Sequence, residues 1–164
     1  MMEFTLVLLP FLCILFVLCD ASWAIFAKAA LQFAVKTGVR TGITITGTQA
    51  STAGETLTQM VKDAVQSSSM GILSGATGRA YIQVHYLAED ESSPTGVTDV
   101  SSQSNGNQPG NVMQVSVNNF PYGALLPRFY NWLTPADKSP TMLSVASADE
   151  IEPSGDLPPI GSAP

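Results

Sequence analysis

Charge is scarce in this 164-residue chain, at 12% of residues, and what there is leans negative, with 7 Lys plus Arg against 13 Asp plus Glu. No basic block occurs, and a net charge of −6 leaves no footprint for nucleic acid. Histidine is nearly absent too, since His85 stands alone. With no thiol outside the first 19 residues and no Gly-x-Ser-x-Gly elbow beside it, His85 has no nucleophile to serve, and a place on the polar face of a strand accounts for it. Walker and dinucleotide loops are missing, and GVRTG and GILSG are too short to cradle a phosphate. Cysteine is limited to Cys13 and Cys19. Six helical positions set them on different faces and about 9 Å apart along the axis, too far for a bridge. These absences leave no enzyme, no cofactor and no metal centre in view.

What the chain has in excess is oil, concentrated at one end. The run FTLVLLPFLCILFVLC from Phe4 to Cys19 contains one polar residue, Thr5, and after Asp20 the apolar character resumes at Trp23, Ile25, Phe26 and Ala27. As a helix, Phe4 to Ala27 covers about 36 Å, against roughly 30 Å of hydrocarbon, so it is long enough to span a bilayer. Pro10 is tolerated in such a helix. A secretory signal cut after Ala24 is the alternative, with Ser22-Trp23-Ala24 as its small-residue site, although no base precedes the apolar core. The helix is expected to continue to Arg40 with its residues sorted by face. Lys28, Gln32, Lys36 and Arg40 form a polar stripe. Trp23, Phe26, Ala30, Phe33 and Thr37 form an apolar one, to be packed either on the chain's own carboxyl-terminal domain or on another subunit. Ala24, Ala27, Leu31, Ala34 and Gly38 make a third arc of mostly small residues, which permits close helix approach. Asp20, one turn before that arc, lies near the far interface, where a carboxylate reaches water.

Beyond Gly42, ITITGTQASTAGE reads as an irregular connector. A helix is predicted from about Glu55, with Leu57, Val61, Ala64 and Val65 on its apolar side and Lys62, Asp63 and Gln66 opposite. Arg79 to Ala88 alternates, with Ile82, Val84 and Tyr86 on one face and Tyr81, Gln83 and His85 on the other. Asn111 to Phe120 and Thr141 to Asp149 repeat the pattern, so three strands and a helix are expected to form a small antiparallel sheet with a helix packed on it. Glu89 to Gly110 is expected to be a mobile loop. Its Glu89, Asp90 and Glu91, with Asp99, lack the ordered spacing of a calcium loop. Pro121 to Pro140, with Tyr122, Leu125, Leu126, Phe129, Tyr130, Trp132 and Leu133, is too apolar for a free loop, and covers the sheet or forms a contact patch. The tail from 153 to 164 is expected to be disordered. The domain organisation is thus a membrane and juxtamembrane helix over 1–42, an α+β domain over 43–152, and a tail over 153–164.

The ordered set of Glu3, Phe4, Asp20, Leu31, Gln32, Lys36, Gly38 and Arg40 resembles the amino-terminal region of TadE-like pseudopilins of the tight-adherence, or Flp, pilus system. In that family a glutamate and an aromatic open the membrane helix, an acidic residue closes it, and Leu-Gln followed by a basic-x-Gly-x-Arg element marks the exit. A short basic leader ahead of the glutamate is usual there. Here two residues precede Glu3, so the leader is expected either upstream or lost. The resemblance implies a subunit stored in the bacterial inner membrane by a single span, with its carboxyl-terminal domain outside the cytoplasm. Its partners would be the lipid bilayer, other pilin-like subunits and the pilus assembly machinery. Glu3, Phe4, Asp20, Ala24, Ala27, Leu31, Gln32, Gly38 and Arg40 would serve helix assembly or processing. Local charge opposes that orientation, because Lys28, Lys36 and Arg40 all follow the span. A secreted periplasmic or extracellular binding domain released after Ala24 is the other functional reading.

Overall fold

The computed structural model describes residues 2–91, 93–122, 141–152 and 155–161; the side chains of residues 2, 3, 5, 6 and 141 lie outside the description. The chain is α+β. Helix α1 runs unbroken from Met2 to Thr44, through Pro10. Then follow α2 (Gly47–Ala53), α3 (Leu57–Ser68), α4 (Gly75–Ala80) and strands β1 (Ile82–Glu89), β2 (Val97–Asp99), β3 (Val112–Tyr122) and β4 (Thr141–Glu150). The strands form one antiparallel sheet in the order β2-β1-β3-β4.

The amino-terminal half of α1 and the rest of the molecule solve different packing problems. Val7 to Thr44 is one helix long and apolar enough to cross a membrane, and none of its most apolar stretch is buried in the fold. Phe4, Leu9, Ile14 and Leu18 all stand 61% or more exposed. This is compatible with a single-span membrane anchor. From Ala27 onward the helix lies on the sheet, and Ala27, Ala30, Leu31, Ala34, Val35 and Val39 are buried. They meet Leu57, Val61 and Val65 of α3 and the inward face of the sheet, Ile82, Val84, Tyr86, Met113, Val115, Val117 and Val145, in one continuous core. The alternation of β1 and β3 therefore has its physical reason in one face packed on two helices while the other stays wetter.

Several boundaries differ from the sequence expectation. The Thr/Ser/Gly connector after Gly42 is largely helical. Alpha1 stops where Thr46 turns extended to cap α2, its backbone N–H donating to the Gln49 side chain at 3.1 Å in a capping box, and Gly54 ends α2 at a φ of 68°, which a glycine adopts without steric cost. Arg79 and Ala80 are the end of α4 rather than the start of a strand. The segment from Glu89 to Gly110, expected to be a mobile loop, contributes β2 and buries Val100, Ser101 and Asn107. Its carboxylates are used apart from one another. Asp90 accepts from the Thr98 hydroxyl at 2.7 Å, while Asp99 accepts from Ser101 and pairs with His85. Most of the apolar connection from 121 to 140 lies outside the described residues, apart from Pro121 and Tyr122, which are still strand.

The tail is the clearest correction. Composition predicts disorder after Glu152, but residues 155–161 dock along α2 and α3. The first N–H groups of a helix have no partner within it. The carbonyls of Pro159 and Ile160 accept those of Leu57 and Thr58, at 2.9 and 3.1 Å, and the Thr58 hydroxyl also donates to the Ile160 carbonyl. Asp156 does the same for α2, accepting the Thr48 N–H at 2.7 Å and its hydroxyl at 2.6 Å, and these bonds hold its carboxyl below the ordinary value. Ile160 is buried at 4% exposure. A short stretch with no periodicity can thus be ordered by backbone carbonyls and one apolar side chain. Ile160→Ala should destabilise the full chain in micelles by about 2–5 kcal/mol, read by guanidinium unfolding; an unchanged midpoint would mean that the tail is not docked.

Candidate assembly helix and its tie to the sheet

Alpha1 presents three faces, and the sheet chooses among them. The small-residue arc is the inner face. Ala27 is 3% exposed, Leu31 and Ala34 are fully buried, Gly38 is buried, and Ala24, at the edge of the domain, is half-buried. The glycines are there for contact: a Cβ on Gly38 would come within 2.3 Å of Val65 Cγ2 on α3, and one on Gly42 within 2.5 Å of Met113 Sδ on β3. Valine in a helix has little freedom to turn aside, so α1 and α3 approach this closely only because residue 38 lacks a side chain. Gln32 and Arg40, with Lys28 and Lys36, are exposed as the polar stripe requires. The aromatic stripe is left over: Trp23, Phe26 and Phe33 are 46%, 45% and 57% exposed, although Ala30 of the same stripe is buried. Ala27, Leu31 and Gly38 are therefore spent on the chain's own core and not available to another helix, whereas the aromatics are. Phe4 is exposed, and Glu3 lies in the first turn of α1 with its side chain outside the description.

Asp20 is held differently from any surface carboxylate. It is 9% exposed, and the Tyr122 hydroxyl lies 2.8 Å from both its Oδ1 and its main-chain carbonyl, sharing one proton between them. Tyr122 reaches it because β3 bends. The β3–β4 register shifts between Val117 and Phe120, and Asn119 sits at a φ of 55°, the local kink of a β-bulge. Beyond Val117, β3 no longer pairs with β1, so Pro121, which has no N–H to give, is accommodated on the open side. Desolvation, followed by the hydrogen bond to Asp20 and its negative charge, pushes the Tyr122 phenol up to about 12. The sequence singled out Asp20, but nothing in it pointed to Tyr122, 102 residues away.

The remaining polar clusters are structural in form. His85 Nδ1 lies 2.8 Å from Asp99 Oδ2. Burial alone would raise the Asp99 carboxyl, but the Ser101 hydroxyl, the Ser101 N–H and His85 together hold it below the ordinary value. The Ser101 oxygen also accepts the Tyr86 N–H at 2.8 Å. The order is thus His85–Asp99–Ser101, with the carboxylate in the middle. The Ser101 hydroxyl donates to the carboxylate and not to the imidazole, and the cluster staples β2 to β1. The Tyr86 hydroxyl is buried without a hydrogen-bond partner among the described residues. Burial pushes it up to about 12, opposed only by Thr58, whose hydroxyl is committed to Ile160. No group of three metal-ligating side chains occurs among the described residues.

Two substitutions test this arrangement. Gly38→Ala gains about 1 kcal/mol of helix propensity but meets Val65, so it should be net destabilising. In the double variant with Val65→Ala the clash is relieved, and the loss should be about 1–3 kcal/mol smaller than the sum of the singles; additivity would show that the two helices are not in contact there. Tyr122→Phe should cost about 1–2 kcal/mol at neutral pH. Because the folded phenol titrates above its unfolded value, this contribution is complete below about pH 10 and lost as pH rises toward about 12. The difference between wild type and variant should shrink over that interval, and a constant difference would count against the Asp20 bond.

Residues 1–40 match the model of the family described as TadE-like protein, in agreement with the resemblance carried by Glu3, Phe4, Asp20, Leu31, Gln32, Lys36, Gly38 and Arg40. Neither the comparison with curated proteins nor that with solved structures finds a match. It is the apolar amino-terminal helix and its extension along the sheet, about a quarter of the chain, that are TadE-like.

Proposed function

We propose that this protein is a membrane-anchored, pilin-like subunit that acts in the assembly or structure of a bacterial tight-adherence pilus. The TadE-like match at residues 1–40 supports a pilus-related, pilin-like protein. The observation that carries the finer reading is the division of labour along α1, with an unburied apolar half, a buried small-residue arc, and an aromatic stripe left exposed above the span. A mere anchor has no use for Phe33, well beyond the span, on a face that its own domain leaves open. A helix that bundles with others does, since large rings dominate contact energies. In this reading the span stores the subunit in the inner membrane with the α+β domain outside the cytoplasm, and the aromatic stripe then meets other pilin-like helices. The protein acts by packing and catalyses nothing.

Release after Ala24 would cut α1 within its continuous helix and detach Asp20 from Tyr122, which argues for retention of the span. A photo-crosslinking residue at position 33, introduced into the full-length gene of the pilus-bearing host, should join this chain to other pilin-like subunits. The same residue at position 31, inside the core, should give only intrachain products. Piliated cells in which neither position yields an intermolecular product would overturn the bundling role.

A further inference from the structure

We propose that the base of the α+β domain is itself a membrane-contact surface, a groove between α1, the turn after α3 and the end of β3 that takes the glycerol and upper acyl region of phospholipid. The inference rests on the reading of α1 as a membrane span and deepens it. Trp23, Ala27, Met70, Ile72, Phe120 and Tyr122 line the groove, together with Gly71 and Pro121, around about 410 Å³. Its walls are mostly apolar, and it opens beside the unburied half of the helix.

Three observations place lipid there. The first is height. Twenty helical residues cover about 30 Å, the thickness of the hydrocarbon, so a span that enters at Phe4 leaves at Trp23. Tyr122 bonds to Asp20, about 4.5 Å lower along the axis, so the end of β3 is held at the hydrocarbon boundary and cannot stand clear of the headgroups. The second is composition. Trp23 packs on Phe26 with ring centroids 5.5 Å apart, and with Tyr122 these make the kind of aromatic belt found where a protein crosses the interface. Lys28, the first cation after the span, is exposed and lies about 7.5 Å beyond Trp23 along the axis, in the phosphate layer. The third is the turn after α3. Met70 is 65% exposed and holds a φ of 53°, with Gly71 following at 83°. A left-handed methionine is uncommon, and here the turn projects a flexible apolar side chain outward at the rim of the groove. On β4, Met142 pairs with Pro121 and is 49% exposed, which extends the apolar base across the last strand. Water would leave these side chains unburied, whereas the upper acyl region receives them and joins them to the lipid already around Phe4 to Cys19.

The test uses the full chain in vesicles of phosphatidylethanolamine and phosphatidylglycerol, with Cys13 and Cys19 changed to alanine and one nitroxide attached through Met70→Cys, Ile14→Cys or Glu55→Cys. Glu55 is exposed on the far side of α2 from the span and serves as the aqueous reference. Collision with oxygen, which concentrates in lipid, should dominate at position 70 as at position 14. Collision with an aqueous nickel chelate should dominate at position 55. If position 14 is lipid-embedded while position 70 behaves like position 55, the groove faces water and the proposal fails although the span stands. If position 14 is also aqueous, the span and the proposal fall together. Shielding of position 70 from both reagents would mean that protein covers it, and shielding that grows with the protein-to-lipid ratio would identify a second copy; either overturns lipid as the occupant.

Discussion

The close approach of α1 to α3 and β3 at Gly38 and Gly42 is the constraint on which the rest of the molecule depends. One continuous helix meets two packing problems. Its amino-terminal half leaves its apolar side chains unburied by the fold, and its carboxyl-terminal half must bury one narrow face deeply enough to hold the sheet domain. Small residues on that face allow the backbone to settle low over Val61, Val65 and Met113, so that Leu31, Val35 and Val39 are fully enclosed. Each such burial contributes about 1.5–3 kcal/mol. A larger residue at position 38 would lift the helix and loosen all of them together.

The same geometry decides what is left outside. A helix that presents its small arc inward must present Phe26 and Phe33 outward, about a third of a turn away. The buried face of this helix and its available surface are therefore alternatives on one cylinder, and the exposure of the aromatics follows from packing glycine and alanine within. At the lower end, the bond between Tyr122 and Asp20 ties the bent end of β3 to the point where the unburied half of the helix ends. A carboxylate taken largely out of water needs a partner to offset its desolvation. Here the partner is supplied by the sheet, so one hydrogen-bonded pair fixes where the bent end of β3 sits along α1.

Legibility in the sequence followed the length of the signal. The long apolar helix, the polar stripe and the alternation of Ile82, Val84 and Tyr86 or Met113, Val115 and Val117 are patterns sustained over many residues, and all appear where the sequence puts them. Short elements did not announce themselves. Alpha2 is made of Thr, Ser, Ala and Gly, residues poor in hydrophobic pattern, and exists because Thr46, Gln49, Gly54 and Asp156 satisfy its ends. Strand β2 consists of three exposed residues held by pairing with β1 and by Asp99 and Ser101. The tail has no period at all. It is ordered because the first turn of α3 needs acceptors and Ile160 finds room in the core.

By itself the sequence determined that the chain has one amino-terminal helix apolar enough for a membrane, that its extension carries polar, aromatic and small faces, and that its first 40 residues are TadE-like. These follow from composition and helical periodicity, which are local. Only the tertiary structure decided which face turns inward, that Asp20 is matched by Tyr122, and that the tail caps two helices. Those outcomes depend on contacts between residues about a hundred positions apart, and such contacts are chosen by shape and by unsatisfied backbone groups, neither of which is written in any single stretch of chain.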